Sequence, residues 1–184
     1  MVDFKLRIEN IVASVTLNTK IPLNTIVKKF EGMEYEPEQF PGVIYRLTEP
    51  RAAALIFSSG KIVCTGARNM ADVNAVIKKV LGIIKSAGAT IPKSYKIDVE
   101  NIVASAKFDS KLNLDKIIFN LENSEYEPEQ FPGLVYRMED PKVAFLFFGS
   151  GKIICTGGRT IKDVKVSIEK VYRKLKEIGA FVKE

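Results

Sequence analysis

The chain has 184 residues, 46% hydrophobic and 27% charged, with a formal net charge of +6. That is enough for one substantial domain or two small ones of ordinary globular composition, and the basic balance hints at a polyanionic partner. It has no histidine and two cysteines, which removes the commonest general base and excludes a four-ligand zinc site. No apolar run approaches the roughly 20 residues that span a bilayer, and no signal peptide opens the chain, so an intracellular, cytoplasmic protein is expected.

In chain order, Met1-Val2-Asp3-Phe4-Lys5 moves straight into alternation. Residues 5–17, uninterrupted by proline, read as a long strand. Pro22 and Asn24 open a short helical stretch through Phe30. Tyr35 to Gln39 is short and acidic, and Phe40-Pro41-Gly42 is a turn. Val43 to Leu47 and Ala52 to Phe57 read as strands separated by Glu49-Pro50. Ser58-Ser59-Gly60 reads as a hairpin turn before a last strand, Lys61 to Thr65. A long helix from about Asn69 to Ala87 carries Val73, Val76, Ile77, Val80, Leu81 and Ile84 on one stripe, and Gly88 ends it.

The whole order then repeats at a constant offset. Glu9-Asn10-Ile11-Val12-Ala13-Ser14 returns as residues 100–105, Tyr35 to Gly42 returns as Tyr126 to Gly133, and Cys64-Thr65-Gly66 returns as Cys155-Thr156-Gly157. A gapless shift of 91 residues gives 42 identities in 93 aligned pairs. A period this long marks two domain-sized copies rather than a solenoid. The copies are taken as residues 1–91 and 92–184, with net charges of +4 and +2, so neither alone is the basic one. The second long helix is expected over Asp163 to Ile178. Each copy is thus expected to read strand, short helix, four strands, long helix, with three of the four strands placed by these patterns: an α+β fold. Cys64 and Cys155, in apolar runs, are expected to be buried thiols.

The alternation also says what faces away from the helices. Ile11, Ala13 and Val15 suit a helix-covered face, so Asn10, Val12 and Ser14 point the other way. By the same rule Ile56, Ile62 and Cys64 point in, while Leu55, Phe57, Lys61, Val63 and Thr65 point out. That second face is apolar with hydroxyls, an amide and a basic rim, where a solvated face would be rich in Lys, Glu and Thr. Burial of both faces, as in a three-layer protein or an obligate oligomer, is the plain alternative; a binding surface is the other. Phe40 and Phe131 lie in polar turns, and each is followed 17 residues later by an outward Phe, Phe57 and Phe148. A turn Phe is most often a local plug, but this one recurs as a two-fold set of four rings.

Asn-Ile-Val-Ala-Ser, Tyr-Glu-Pro-Glu-Gln-Phe-Pro-Gly and Ser-Gly-Lys-Ile-(Val/Ile)-Cys-Thr-Gly, present in both copies, resemble the repeat motifs of the TATA-box-binding proteins. The near-symmetric halves and the absence of an N-terminal extension resemble the archaeal members most. The resemblance implies a pseudo-two-fold saddle, a curved antiparallel sheet with helices on its convex side, that binds double-stranded promoter DNA at a TATA element. Phe40, Phe57, Phe131 and Phe148 match the rings that enter base steps. Asn10 and Asn101, helped by Thr65 and Thr156, match donors to minor-groove acceptors. Val12, Val103, Val63, Ile154, Leu55 and Leu146 match the apolar floor against base edges. Arg46, Arg137, Lys61, Lys152, Arg68, Arg159, Ser59 and Ser150 match positions facing the DNA backbone. Glu127 and Glu129, with Gln130, match the docking turn for transcription factor B, which brings in the RNA polymerase pre-initiation complex. Because Glu36 and Glu38 repeat that turn, the protein alone is expected to orient poorly on DNA.

Other classes fit less well. Paired carboxylates such as Glu127 and Glu129 lie in exposed-looking turns with nothing nearby to raise a pKa, so no enzyme, metal or cofactor is expected. An RNA-binding sheet wants aromatics at strand centres, where this chain has Val, Leu and Asn. A pure interaction module is a third reading, and a homodimer through the bare face is expected when DNA is absent.

Overall fold

The computed structural model describes residues 4–183, so Met1, Val2 and Asp3 of the expected lead-in lie outside the described residues. The first half contains β1 (Arg7–Thr16), α1 (Leu23–Lys29), β2 (Met33–Glu34), β3 (Val43–Thr48), β4 (Arg51–Ile56), β5 (Lys61–Ala67) and α2 (Met70–Ser86). The second half repeats them as β6 (Ile97–Lys107), α3 (Leu114–Asn120), β7 (Ser124–Glu125), β8 (Leu134–Met138), β9 (Val143–Phe147), β10 (Lys152–Gly158) and α4 (Ile161–Glu177). The α+β order expected from the sequence is therefore present twice. Strands run β2-β3-β4-β5-β1 in one half and β6-β10-β9-β8-β7 in the other, antiparallel at each pairing within a half.

Local chemistry fixes most boundaries. The side chain of Asn69 accepts from the Asp72 amide and starts α2; Thr160 does the same with Asp163 for α4. The second long helix thus begins two residues before the expected Asp163, which is its first-turn acid rather than its start. Strand β1 likewise begins at Arg7 and not Lys5, whose φ of +53° breaks the extended run. In α2 every residue of the sequence stripe, from Val73 to Ile84, is buried. Each such aliphatic side chain contributes roughly 1.5–3 kcal/mol on leaving water. Facing them are Ile11, Ala13 and Val15 of β1, Ala54 and Ile56 of β4, and Ile62 and Cys64 of β5, all buried.

The chain packs as two compact units. One is Asn10–Glu100; the other joins the segment ending at Glu9 to the chain from Asn101 onward. The link is visible at Phe4, whose ring lies 5.5 Å from Phe108 and 5.0 Å from Tyr172. The carbonyl of Phe4 accepts a hydrogen bond from the Lys107 amide at 2.9 Å.

Candidate nucleic-acid interface

Strand pairing lays the outward residues in rows. Ile44, Leu55, Val63 and Ser14 lie across β3, β4, β5 and β1 in register. Val135, Leu146, Ile154 and Ser105 form the matching row in the second half. Next to them run Arg46, Ala53 and Thr65, matched by Arg137, Ala144, Thr156 and Val103. Val12, Leu55, Val63, Thr65, Val103, Leu146, Ile154 and Thr156 are all half-buried, on the side of their strands away from the fully buried core positions. Ile44 and Val135 belong to this face and were not singled out in the sequence, although the alternation about buried Val43 and Leu134 marks them. Ser14 is a partial correction: it is 3% exposed, and its hydroxyl donates to Glu100 Oε1 at 2.7 Å. Ser105 donates to Glu9 Oε1 at the same distance. These hydroxyls are engaged internally rather than offered outward.

The amides are held in one orientation. A register shift in the β1–β5 pairing accompanies Gly66 at φ +96°, and the Gly66 N–H donates to Asn10 Oδ1 at 2.6 Å. Gly157, at φ +103°, does the same for Asn101 at 2.7 Å. A donor at that end requires the amide oxygen there, so the NH2 end is fixed by chemistry and not by choice of rotamer. One Nδ2 hydrogen goes to the Thr65 or Thr156 hydroxyl, 3.2 Å away in both halves. No acceptor among the described residues meets the other hydrogen of either amide. Each half therefore presents a donor on an otherwise apolar floor.

The phenylalanines come together in pairs. Phe40 and Phe57 have centroids 5.6 Å apart at 67°, and Phe131 and Phe148 6.0 Å apart at 72°, both edge-on. Phe40, Phe57 and Phe148 are half-buried and Phe131 is 43% exposed, so none is a core plug. The seat beneath each pair is a glycine. A Cβ on Gly42 would lie 3.0 Å from both rings; on Gly133 it would lie 2.7 Å from Phe131 and 3.1 Å from Phe148. The sequence marked these glycines only as turn residues. Their φ is not positive, and the constraint on them is steric.

The charged rim is exposed. Arg46 pairs with Glu34 at 2.5 Å and Arg137 with Glu125 at 3.2 Å, contacts that cost little to exchange for another anion at such exposure. Ser59, Lys61, Ser150 and Lys152 sit at the two hairpin turns, Ser150 Oγ accepting from the Lys152 amide at 3.3 Å. Arg68 and Arg159 follow the last strand of each half and are exposed. Glu127, Glu129 and Gln130 are exposed on a turn closed by the Glu127 carbonyl, which accepts from Gln130 and Phe131, each at 3.0 Å. Both cysteines are free and buried; burial pushes the Cys64 thiol up to about 11 and the Cys155 thiol to about 12. Among the described residues no helix is long and apolar enough to cross a membrane.

The chain matches the family model "Transcription factor TFIID (or TATA-binding protein, TBP)" twice, over residues 5–87 and 96–178. It is 49% identical over 178 residues to the TATA-box-binding protein of Methanothermobacter thermautotrophicus, covering 97% of this chain and 98% of that protein. With the TATA-box-binding protein of Archaeoglobus fulgidus it shares 45% over 181 residues, at 97% and 99% coverage. Its fold matches the solved structure "Methanococcus jannaschii TBP" with a TM-score of 0.87, at 44% identity over 94% of this chain and 98% of that one.

Proposed function

The chain belongs to the TATA-box-binding protein family, whose members are transcription factors and not enzymes, and on that premise we propose that it binds TATA promoter DNA in the minor groove, kinks it with its paired phenylalanines, and recruits transcription factor B and RNA polymerase. The observation that carries this reading is the locked amide in each half: a fixed donor set in an apolar floor. The minor groove of A·T pairs offers only acceptors, whereas G·C adds an amino donor that protrudes into the groove. A floor of Val12, Leu55, Val63 and their repeats, with Asn10 and Asn101 as donors, satisfies the first and clashes with the second.

The ring pairs act at the ends. Minor-groove proteins, this family among their type cases, insert apolar wedges and unstack a base step at a cost of roughly a few kcal/mol, recovered as the bent duplex covers more protein. An edge-on pair on a glycine seat is stiff enough to serve as one wedge. TA steps unstack most readily, which adds preference for TATA without further hydrogen bonds. Arg46, Arg68, Lys61, Ser59 and their repeats hold phosphates, a salt-dependent contribution that reads no sequence. Glu127, Glu129 and Gln130 offer the partner factor an exposed acidic turn. Because Glu36 and Glu38 form the same turn, polarity on DNA comes from that partner. Copies bounded at residues 91 and 92 trace the ancestral duplication. Without DNA the apolar floor pairs with a second copy, and in the cell the protein sits with the archaeal nucleoid.

A gel-shift titration on a TATA duplex against a G·C-substituted control tests the reading, with Phe57→Ala/Phe148→Ala beside wild type at two salt concentrations. The wild type is expected to prefer TATA, and the variant to lose at least a hundredfold in affinity together with the bend (more than about 2.7 kcal/mol). Equal binding of the two duplexes, or normal behaviour of the variant, would sink the proposal.

A further inference from the structure

The second half holds an open cleft of about 790 Å³ between the end of β6, the start of α3, the end of α4 and the chain that follows it, with Phe4 also in its lining. Its geometry comes from Gly179 at φ +67°, which turns the chain out of α4 so that it pairs back: the Asn113 amide donates to Ala180 O at 2.8 Å and the Val182 amide to Lys111 O at 2.9 Å. The apolar wall is the ring cluster of Phe108, Tyr172 and Phe181, with Tyr172 and Phe181 only half-buried. The rim carries Lys107, Lys116, Lys176 and Lys183, all exposed, against a single carboxylate, Asp109. None of these four ammonium groups forms an ion pair among the described residues; Lys176 lies over the Tyr172 ring at 5.2 Å, and Lys107 donates to the Ser150 carbonyl.

The first copy lacks most of this chemistry, keeping Lys85 where the second has Lys176. Lys107, Lys116, Tyr172 and Phe181 replace Thr16, Thr25, Leu81 and Thr90 at the shift of 91, although the DNA-facing positions are kept. The adjoining helix shares the bias in part: α4 carries six Lys or Arg and three acidic residues where α2 carries three and one. The added charge and aromatic surface are therefore local to one side of one half, which a requirement for DNA binding shared by both copies does not explain.

We infer that this cleft docks an acidic peptide segment carrying one aromatic or aliphatic anchor side chain. Unpaired cations around an apolar wall complement carboxylates flanking an apolar group. A nucleotide base suits the wall less well, because it wants a flat ring face. Here the rings meet at 80° for Phe108–Phe181 and 57° for Tyr172–Phe181, interlocked rather than laid out as a platform.

Fluorescence anisotropy on the full chain tests this, using a labelled short Asp/Glu-rich peptide with one central Phe, with and without unlabelled TATA duplex. Binding is expected to persist with duplex present, to weaken about tenfold or more when the peptide Phe becomes Ser, and to weaken similarly in Lys116→Glu/Lys176→Glu. The variant Lys116→Gln/Lys176→Gln, with its thermal unfolding compared to wild type, serves the same purpose if charge reversal disturbs folding. Absence of binding, equal binding of the Ser peptide, competition by the duplex, or preferential capture of ATP or a single-stranded oligonucleotide through the same lysines would each overturn the inference. Lys116 and Lys176 lie on helices and not on the DNA-facing strands, so a chain that ignores TATA DNA and still takes the peptide separates failure of one reading from failure of the other.

Discussion

Around the ring pairs and locked amides the two halves are nearly interchangeable: centroids at 5.6 and 6.0 Å, amide-to-threonine contacts both at 3.2 Å, glycine-to-amide contacts at 2.6 and 2.7 Å. Behind that surface they differ. Strand β4 sends Ala54 and Ile56 into the core, while β9 sends Phe145 and Phe147, whose rings stack with Tyr136 at 6.3 and 6.0 Å. The helix compensates in the other direction, since buried Val76 of α2 becomes buried Ser167 of α4, its hydroxyl donating to Asp163 O at 2.6 Å. A core accepts such exchanges when volume and pattern are kept. On the proposed function, a surface that fits the same duplex geometry twice has no such freedom. On the readings proposed above, similarity between the copies reflects contact with a shared ligand, and divergence reflects either repacking or, at the cleft beside α4, a task that only one copy performs.

The largest expected effect breaks the comparison at the core. Phe145→Ala should destabilise the protein by about 3–5 kcal/mol, against about 1–3 kcal/mol for the overpacked Ala54→Phe. Denaturant midpoints would show it, and losses of equal size would mean the two cores are packed alike after all. A smaller effect sharpens the comparison at the wedge. Gly133→Ala places a Cβ 2.7 Å from Phe131, while Gly42→Ala places one 3.0 Å from its rings. The first should cost about tenfold in TATA affinity, or about 1.4 kcal/mol, and the second less, with both proteins melting near wild type. Gel shifts giving the reverse order would remove the glycine seat from the mechanism.

The smallest effect concerns the thiols. Above their ordinary 9.0, the unfolded chain releases protons that the folded chain keeps up to about 11 at Cys64 and about 12 at Cys155. Their contribution is therefore fully present below about pH 9 and is lost as the pH rises through that window. Ellman's reagent should find both sulfurs silent in the native state at pH 8 and Cys64 reacting before Cys155 as the pH is raised. Simultaneous reaction at pH 8 would show that neither is protected.

Much of this was legible in the chain because it is local or periodic. The α2 stripe and the inward and outward positions of β4 and β5 follow from spacing alone, and a repeat at one fixed offset reveals two like halves. What escaped was set by distance or by length. The two-residue strands β2 and β7 are too short to carry a pattern. The orientation of Asn10 depends on a glycine 56 residues away, brought near by strand register. Gly42 reads as a turn glycine until Phe57 is folded over it. Glu100, which occupies the Ser14 hydroxyl, lies 86 residues further along the chain.

Phe4 has an implication for the order in which the protein is made. Its ring partners, Phe108 and Tyr172, belong to the far half of the chain, so a ribosome exposes this residue long before either exists. The segment around Phe4 must stay unattached while the whole first copy is synthesised, and it can close only once the second copy has been made as far as Tyr172. Its docking therefore waits on the second copy: a chain cut short before Tyr172 has no finished ring cluster to receive it.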